Sequence, residues 1–323
     1  MHSAMLSGSA SVGVMELRSL GSDGPALSLV GLGCNNFGLR IDAEQTRKVV
    51  DAALEAGINH FDTAESYGGG NSEVFLGQAL GARRDDVVIA TKFAPRPAED
   101  EYTPGALARR ITEACDISLK RLGTDRIDLY YQHFPDLAAP ADEALEALDG
   151  LVRAGKVLAV AASNADAAQI ATEATIAADR GLTRFVGLQT EWSLLARSVE
   201  KDIVPAAISR DVGIVPYFPL ASGLLSGKYA RGREFPPDSR LAVLNRFAQN
   251  ATSENFDKIE ALTAYATERG HTILELAIAW LAAQDGVTSI IAGATKPEQV
   301  AANAAAASWR LTSAEARDVA ALA

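Results

Sequence analysis

Ile58-Asn59-His60-Phe61-Asp62-Thr63-Ala64-Glu65-Ser66-Tyr67-Gly68 is the stretch on which the fold turns. A short apolar run ends in a carboxylate, and a phenol follows close behind. Two later runs repeat the pattern: Val87-Val88-Ile89-Ala90-Thr91 leads into Lys92, and Ile127-Asp128-Leu129-Tyr130-Tyr131-Gln132 leads into His133. Strand ends of a (β/α)8 barrel meet at one mouth, so polar residues spread over about seventy positions share a site there. An Asp, a Tyr, a Lys and a His at such a mouth suit proton transfer to a carbonyl oxygen.

Working outward, apolar runs begin at Leu29, Ile58, Val87, Ile127, Val157, Phe185, Val212 and Val287, with amphipathic helical stretches between them. That alternation predicts parallel strands joined by crossover helices, an α/β (β/α)8 TIM barrel. Residues 15–20 and 26–29, around Ser22-Asp23-Gly24-Pro25, predict an N-terminal β-hairpin that plugs the closed end. Asp42 is the expected cap of one helix, with Gln45 reaching back, Val49, Val50, Ala53 and Leu54 facing inward and Gly57 ending it. Thr103 is the expected cap of another, with Pro104 in the first turn, Leu107, Ile111, Cys115 and Leu122 as its apolar stripe and Gly123 as its stop. Thr312 caps a helix near the C-terminus. Residues 217–255, with Gly223, Gly227, Gly232 and Pro236-Pro237, lack periodicity and read as a functional loop over the mouth. Residues 1–14, rich in Ser, Gly and Ala, read as a flexible tail, with an alternative start codon or an appended segment as equal alternatives. Residues 15–323 then form one domain, since no composition shift marks a boundary.

The chain has 323 residues, 48% of them hydrophobic, enough to bury a large core. Its formal charge of −11 argues against nucleic acid as a partner, and any anion site must be built locally. Two cysteines, Cys34 and Cys115, give no disulfide framework and fit a reducing compartment. No apolar run approaches the ~18 residues of a membrane span. The expectation is a soluble, cytoplasmic protein with a small-molecule partner and no membrane partner; its oligomeric state stays open. His2, His60 and His271 read as a tail residue, a strand position facing a helix, and a helix start. Neither they nor the cysteines have metal-ligand spacing, so no metal is expected.

Tyr67 has an ordinary pKa of about 10, and an ammonium beside it favours the phenolate and so eases proton donation. Lys92 is the candidate ammonium, Asp62 its partner, and His133 the hydrogen-bond donor that orients a carbonyl. Each residue alone has a plainer explanation, as packing, a cap or a solvated rim residue. Their joint placement at three consecutive strand ends favours a shared catalytic site.

Phe61-Asp62-Thr63-Ala64-Glu65-Ser66-Tyr67-Gly68, Ala90-Thr91-Lys92 and Tyr131-Gln132-His133 resemble the signature segments of the aldo-keto reductase superfamily, and the likeness spans nearly the whole chain after Met15. The resemblance implies a (β/α)8 barrel and NADPH-dependent reduction of aldehydes or ketones by hydride transfer, without a metal. It also carries cofactor contacts across, residue by residue. Gly33, Cys34 and Asn35 correspond to the loop near nicotinamide and pyrophosphate. Ser163, Asn164 and Gln189 correspond to the carboxamide clamp, and Tyr217 to the ring that stacks on nicotinamide. Pro219, Leu220, Ser222, Gly223 and Lys228 lie in a segment resembling the pyrophosphate loop, particularly of bacterial members and potassium-channel beta subunits, with Arg240 downstream. Gly293, Thr295, Lys296, Gln299 and Asn303 lie in a segment resembling the adenosine end, where Thr295, Lys296 and Gln299 would meet the 2′-phosphate and Asn303 the adenine. Gln299 and Ala302 depart from the arginine and carboxylate that many relatives place there, so NADH use stays open beside NADPH. The chain also lacks the long terminal loop of many eukaryotic members, which implies a more open pocket. Phe37, Phe93, Phe134 and Trp192, beside Tyr67 and His133, are candidate substrate contacts, with core packing as the equal alternative. Two rival readings remain: a sugar or alcohol dehydrogenase running in the oxidising direction, and a nucleotide-binding regulatory subunit.

Overall fold

The computed structural model describes residues 15–95, 100–237, 239–243 and 245–323; the tail expected at 1–14 lies outside them. A hairpin, β1 (Leu17–Ser19) and β2 (Ala26–Ser28), pairs antiparallel with Leu17 opposite Ser28. Eight parallel strands follow: β3 (Val30–Gly33), β4 (His60–Asp62), β5 (Val88–Phe93), β6 (Ile127–Gln132), β7 (Val157–Ser163), β8 (Phe185–Glu191), β9 (Gly213–Tyr217) and β10 (Ile290–Gly293). They pair in chain order, and β10 closes on β3, so all eight expected runs become staves of one TIM barrel.

The hairpin does plug the barrel. Leu20 and Leu27 are fully buried and pack with Ala90, Leu129, Tyr131, Ala159, Ala161, Val215 and Ile291 inside the cylinder. Gly187 and Gly213 make the room: a Cβ on either would stand 2.7 or 2.8 Å from a Leu20 methyl. Burying a leucine of this kind contributes about 1.5–3 kcal/mol.

Outside the staves, Asp42 caps the helix Ala43–Glu55 through the Gln45 N–H at 2.8 Å, and Gly57 turns the chain away at φ +76°. The Gln45 side chain does not reach back as expected; its Nε2 donates to the Thr295 carbonyl 3.0 Å away, a long-range partner invisible to local spacing. The second helix runs Ala106–Leu122, later than Thr103-Pro104 implied. Gly105, at φ +81°, interrupts the chain there, and the Glu143 carboxylate accepts from the N–H groups of Gly105 and Ala108 at 3.2 and 2.9 Å. A carboxylate from a neighbouring helix thus does the capping expected of Thr103. Leu107, Ile111, Cys115 and Leu122 are buried as their spacing predicts, and Thr312 forms a capping box with Glu315.

His60 is a correction. A two-residue strand period puts it on the same face as Asp62, inside the barrel rather than toward a helix. Its Nδ1 lies 2.8 Å from Ser289 Oγ, which itself donates to the Ser28 carbonyl at 2.7 Å. Burial holds the imidazole down to about 4, so it is neutral at physiological pH. Residues 217–255 contain short helical turns at Ala221–Ser226, Arg240–Val243 and Asn245–Asn250. Arg240 Nη2 reaches Asn36 Oδ1 at 3.2 Å, which ties this segment across the mouth to the loop after β3. Among the described residues no helix is long and apolar enough to cross a membrane.

Candidate active site

Three adjacent strand ends deliver the polar group. Lys92, fully buried on β5, donates from Nζ to Asp62 Oδ1 at 2.6 Å and to the Thr63 carbonyl at 2.7 Å. Asp62 Oδ2 accepts from Gln189 Nε2 at 2.8 Å, so both carboxylate oxygens are used. Nζ stands 5.1 Å from the centroid of the Tyr67 ring, and that ring meets the His133 ring edge-on at 5.9 Å. A buried ion pair of this kind is sustained only where geometry and extra hydrogen bonds offset its desolvation.

The electrostatics assign states to these groups. Burial opposes the Lys92 charge, but Asp62 and Tyr67 outweigh it and hold the ammonium above its usual range. Burial also raises the Tyr67 phenol, with Lys92 pulling the other way, so burial prevails and the phenol keeps its proton at neutral pH. His133 is driven down to about 3 by burial and by Lys92, which leaves a neutral imidazole. The site therefore presents a protonated phenol, a neutral imidazole and an ammonium that favours phenolate once the proton leaves.

The residues expected to hold nicotinamide are linked to one another. Asn164, at φ +60°, donates to the His133 carbonyl at 2.9 Å and to Ser163 Oγ at 3.0 Å. Asparagine is among the few residues that adopt this left-handed geometry readily. The Tyr217 hydroxyl donates to Asn164 Oδ1 at 2.7 Å, and burial pushes that phenol to about 12. Gly33 ends β3 at the mouth, where a Cβ would meet Ile291 at 2.9 Å. Cys34 turns away: its thiol is buried against the Leu32 carbonyl, burial holds it well above its ordinary pKa, and its backbone is engaged, the N–H with the Asp62 carbonyl at 2.8 Å and the carbonyl with Ser72 Oγ at 2.9 Å. Asn35 and Asn36 both accept from Arg240. Spacing did not single out Asn36, whose Nδ2 also ties it to the Ala294 carbonyl at 3.2 Å.

Pro219 and Leu220 stand between left-handed residues, with Phe218 before them and Ala221, Ser222 and Gly223 after, at φ of +52°, +46°, +59° and +102°. Alternating turns of this kind make concavities that suit anions. The bare Gly223 lets Lys228 approach: a Cβ there would be 3.0 Å from Nζ. At the other end, a Cβ on Gly293 would be 3.4 Å from both the Asn35 and Asn36 side chains. Gln299 Oε1 accepts from Thr295 N–H at 2.8 Å and Thr295 Oγ1 at 3.2 Å, so these two expected phosphate contacts are already engaged with each other. Lys296 is exposed at the cap of the helix Pro297–Ala306, and Asn303 is buried on it. The Ser163 and Asn164 side chains, the Tyr217 phenol and the cations Lys228, Arg240 and Lys296 are groups whose chemistry fits a nicotinamide dinucleotide.

The aromatic wall is largely core. Phe93, one residue out of phase with Lys92, is fully buried on the barrel's outer face 5.3 Å from the Tyr130 ring. Phe37 is fully buried, and Trp192 is buried with Nε1 donating to Glu200 Oε1 at 3.0 Å and its ring edge-on to Trp280. Strand period and helix packing, not residue type, decide these three. Phe134 alone is open, 48% exposed and stacked 4.8 Å from His133 at the rim. Among the described residues no three of His, Cys, Asp and Glu gather as a metal-ligand group.

A closed parallel barrel with a buried Lys–Asp pair, a phenol and an imidazole at its carboxyl mouth defines a barrel enzyme equipped for proton transfer. The chain belongs to the Aldo/keto reductase family, which residues 29–323 match, and is an NAD(P)H-dependent oxidoreductase. It is 36% identical over 299 residues to a "Probable voltage-gated potassium channel subunit beta" of Arabidopsis thaliana, covering 90% of each chain. A protein of the same description from Oryza sativa subsp. japonica is 35% identical over 298 residues, again covering 90% of each. The "Aldo-keto reductase YhdN" of Bacillus subtilis (strain 168) is 32% identical over 312 residues, 94% of this chain and 92% of its own.

Proposed function

We propose that this protein reduces aldehyde or ketone carbonyls to alcohols with NADPH, Tyr67 giving the proton to oxygen. The observation that carries the reading is the fully buried Lys92 ammonium, bonded to Asp62 at 2.6 Å and 5.1 Å from the Tyr67 ring. Bound nicotinamide supplies a hydride to the carbonyl carbon. Tyr67 donates its proton as negative charge grows on the oxygen, and Lys92 stabilises the phenolate left behind. Asp62 keeps Lys92 charged and in place. His133, neutral, offers an N–H that orients the carbonyl. Preference for NADPH over NADH rests on Lys296 as a 2′-phosphate contact, while Lys228 and Arg240 meet phosphate charge that both nucleotides carry. Two buried, unpaired thiols support a reducing, cytoplasmic setting and a single domain over residues 15–323 completes the reading.

Oxidation of NADPH with a panel of simple aldehydes tests it. Tyr67→Phe should cut turnover by roughly 10²- to 10⁴-fold while nucleotide binding stays intact. Undiminished turnover in that variant refutes the proton donor. The same residues serve the oxidising direction, on an alcohol or sugar lactol, with Tyr67 as acceptor; the equilibrium and cofactor ratio decide between them. The two plant relatives favour one other reading, a nucleotide-binding subunit of a channel complex. Tight NADPH binding without turnover on any carbonyl, together with co-purification of a membrane partner, would select it.

A further inference from the structure

We infer that Arg121 is a positioning residue for the proton-donor loop: one guanidinium cross-links both ends of the segment that carries Tyr67 and fixes where the phenol stands. The inference rests on the assignment of Tyr67 as proton donor.

Tyr67 is followed by Gly68, Gly69 and Gly70, all left-handed, at φ of +58°, +64° and +94°. Glycine runs lose the most backbone freedom on ordering, so this loop needs outside restraint. Its own hydrogen bonds run from Tyr67 N–H to the Ala64 carbonyl at 3.1 Å, from Gly69 N–H to the Ser66 carbonyl at 3.3 Å, and from Asn71 N–H to the Tyr67 and Gly68 carbonyls. On one side, Gly68 sits against the Phe37 carbonyl, where a Cβ would be only 2.5 Å away. On the other side stands Arg121, from the last turn of the helix Ala106–Leu122.

Arg121 Nη1 donates to the Glu65 carbonyl at 2.9 Å, two residues before Tyr67, and to Glu73 Oε2 at 3.2 Å, in the first turn of the helix Asn71–Leu80 that follows the loop. Its guanidinium carbon lies where a Cβ on Gly70 would come within 2.5 Å, so the glycine is what lets the clamp close. Glu73 is fully buried, and its other oxygen accepts from Thr91 Oγ1 at 2.6 Å. Thr91 immediately precedes Lys92. One side chain thus sets the loop of the proton donor against the strand of the ammonium that tunes it. The Glu65 carboxylate adds a second tie, accepting from Ala94 N–H at 2.7 Å and from Arg110. Arg121 is reachable from outside, for it also lines a cleft of about 810 Å³ between the two helices.

The plainer role is charge balance for Glu73, which does not depend on where the cation stands to within a bond length. Both bonds come from Nη1, and Arg121→Lys keeps the charge while ending one bond short of that atom, so it cannot reach the Glu65 carbonyl and Glu73 together. Steady-state kinetics on the full-length protein should then show kcat down roughly 10- to 100-fold, the scale of a small misplacement of a reacting group, with nucleotide Kd and carbonyl KM within about twofold. Wild-type kcat in a folded Arg121→Lys protein overturns the inference, as does a loss matched by equal weakening of nucleotide binding. If Arg121→Lys fails to fold, Arg121→Met in a Glu73→Gln background, where no buried carboxylate is left unpaired, decides instead: kcat equal to that of Glu73→Gln alone overturns the clamp and a selective further kcat loss supports it. Turnover persisting in Tyr67→Phe would sink the proton-donor assignment instead, whatever the Arg121 variants do.

Discussion

On the β4–β6 side of the mouth Asp62, Lys92 and His133 stand at or just past strand ends, whereas on the β9 side the groups expected to meet nucleotide hang from residues 218–250, whose described residues contain no strand. Asp62, Lys92 and His133 are placed by barrel register, with Asp62 opposite Ala90 and Lys92 opposite Tyr131. The other side is held by ring edges and cations: Phe218 on Phe247 at 5.6 Å, Tyr229 on Phe235 at 5.5 Å, and Arg240 over Phe218 at 5.4 Å. A closed, packed barrel resists relaxation, so it can hold an ammonium and a carboxylate away from water. Leu224, Leu225 and Leu241 anchor this segment in the core, but residues 230–234 between them are exposed, and an exposed stretch opens at lower cost, which suits the side where a large nucleotide would enter.

That contrast breaks most sharply at Lys92. Lys92→Met strands the Asp62 carboxylate with Gln189 as its remaining partner, and should cost about 3–5 kcal/mol of stability as well as turnover. Denaturant melts beside the aldehyde assay check both effects; a variant as stable as the wild type would mean that the barrel side tolerates loss of the pair. The matching change on the loop side is Lys228→Ala. Its effect should be confined to nucleotide affinity, about 1.5 kcal/mol or roughly tenfold in Kd, with the melting temperature unchanged. Fluorescence titration with NADPH and NADH reads it, and a large fall in melting temperature would erase the distinction between the two sides. A smaller effect concerns pH. His60 is held to about 4 in the folded state against an ordinary 6.5, so below 6.5 the unfolded chain takes up a proton the native state refuses. Stability present above about 6.5 should be lost as pH falls toward 4, by up to about 1.4 kcal/mol per unit from this group. His133, held to about 3, adds to the same slope, so His60→Leu should reduce it and leave the His133 part in melts taken between these pH values; an unchanged slope would remove His60 as a source.

The eight staves were readable because each is a short apolar run between helical stripes, and Asp62, Tyr67, Lys92 and His133 because each follows such a run. What went astray depended on partners far along the chain. Thr103 lost its cap role to Glu143, and the Gln45 amide turned to Thr295. Phe37, Phe93 and Trp192 vanished into packing, since an aromatic residue near a mouth looks the same in sequence whichever face it takes. Arg121 gave no local signal at all: it sits fifty-odd positions from the loop it holds, in a helix whose spacing marks it only as exposed.

By itself the sequence determined the barrel, the order of its staves and the chemical types gathered at the mouth, because hydrophobic periodicity and strand termini are local properties of the chain. Only the tertiary structure decided which groups touch, which are dry and hence which carry charge: the Lys92–Asp62 bond, the neutral His133 and the linkage of Gln189 to Asp62 arise from closure of the cylinder. Desolvation and Coulomb attraction depend on distance and burial, and neither exists until the strands have met.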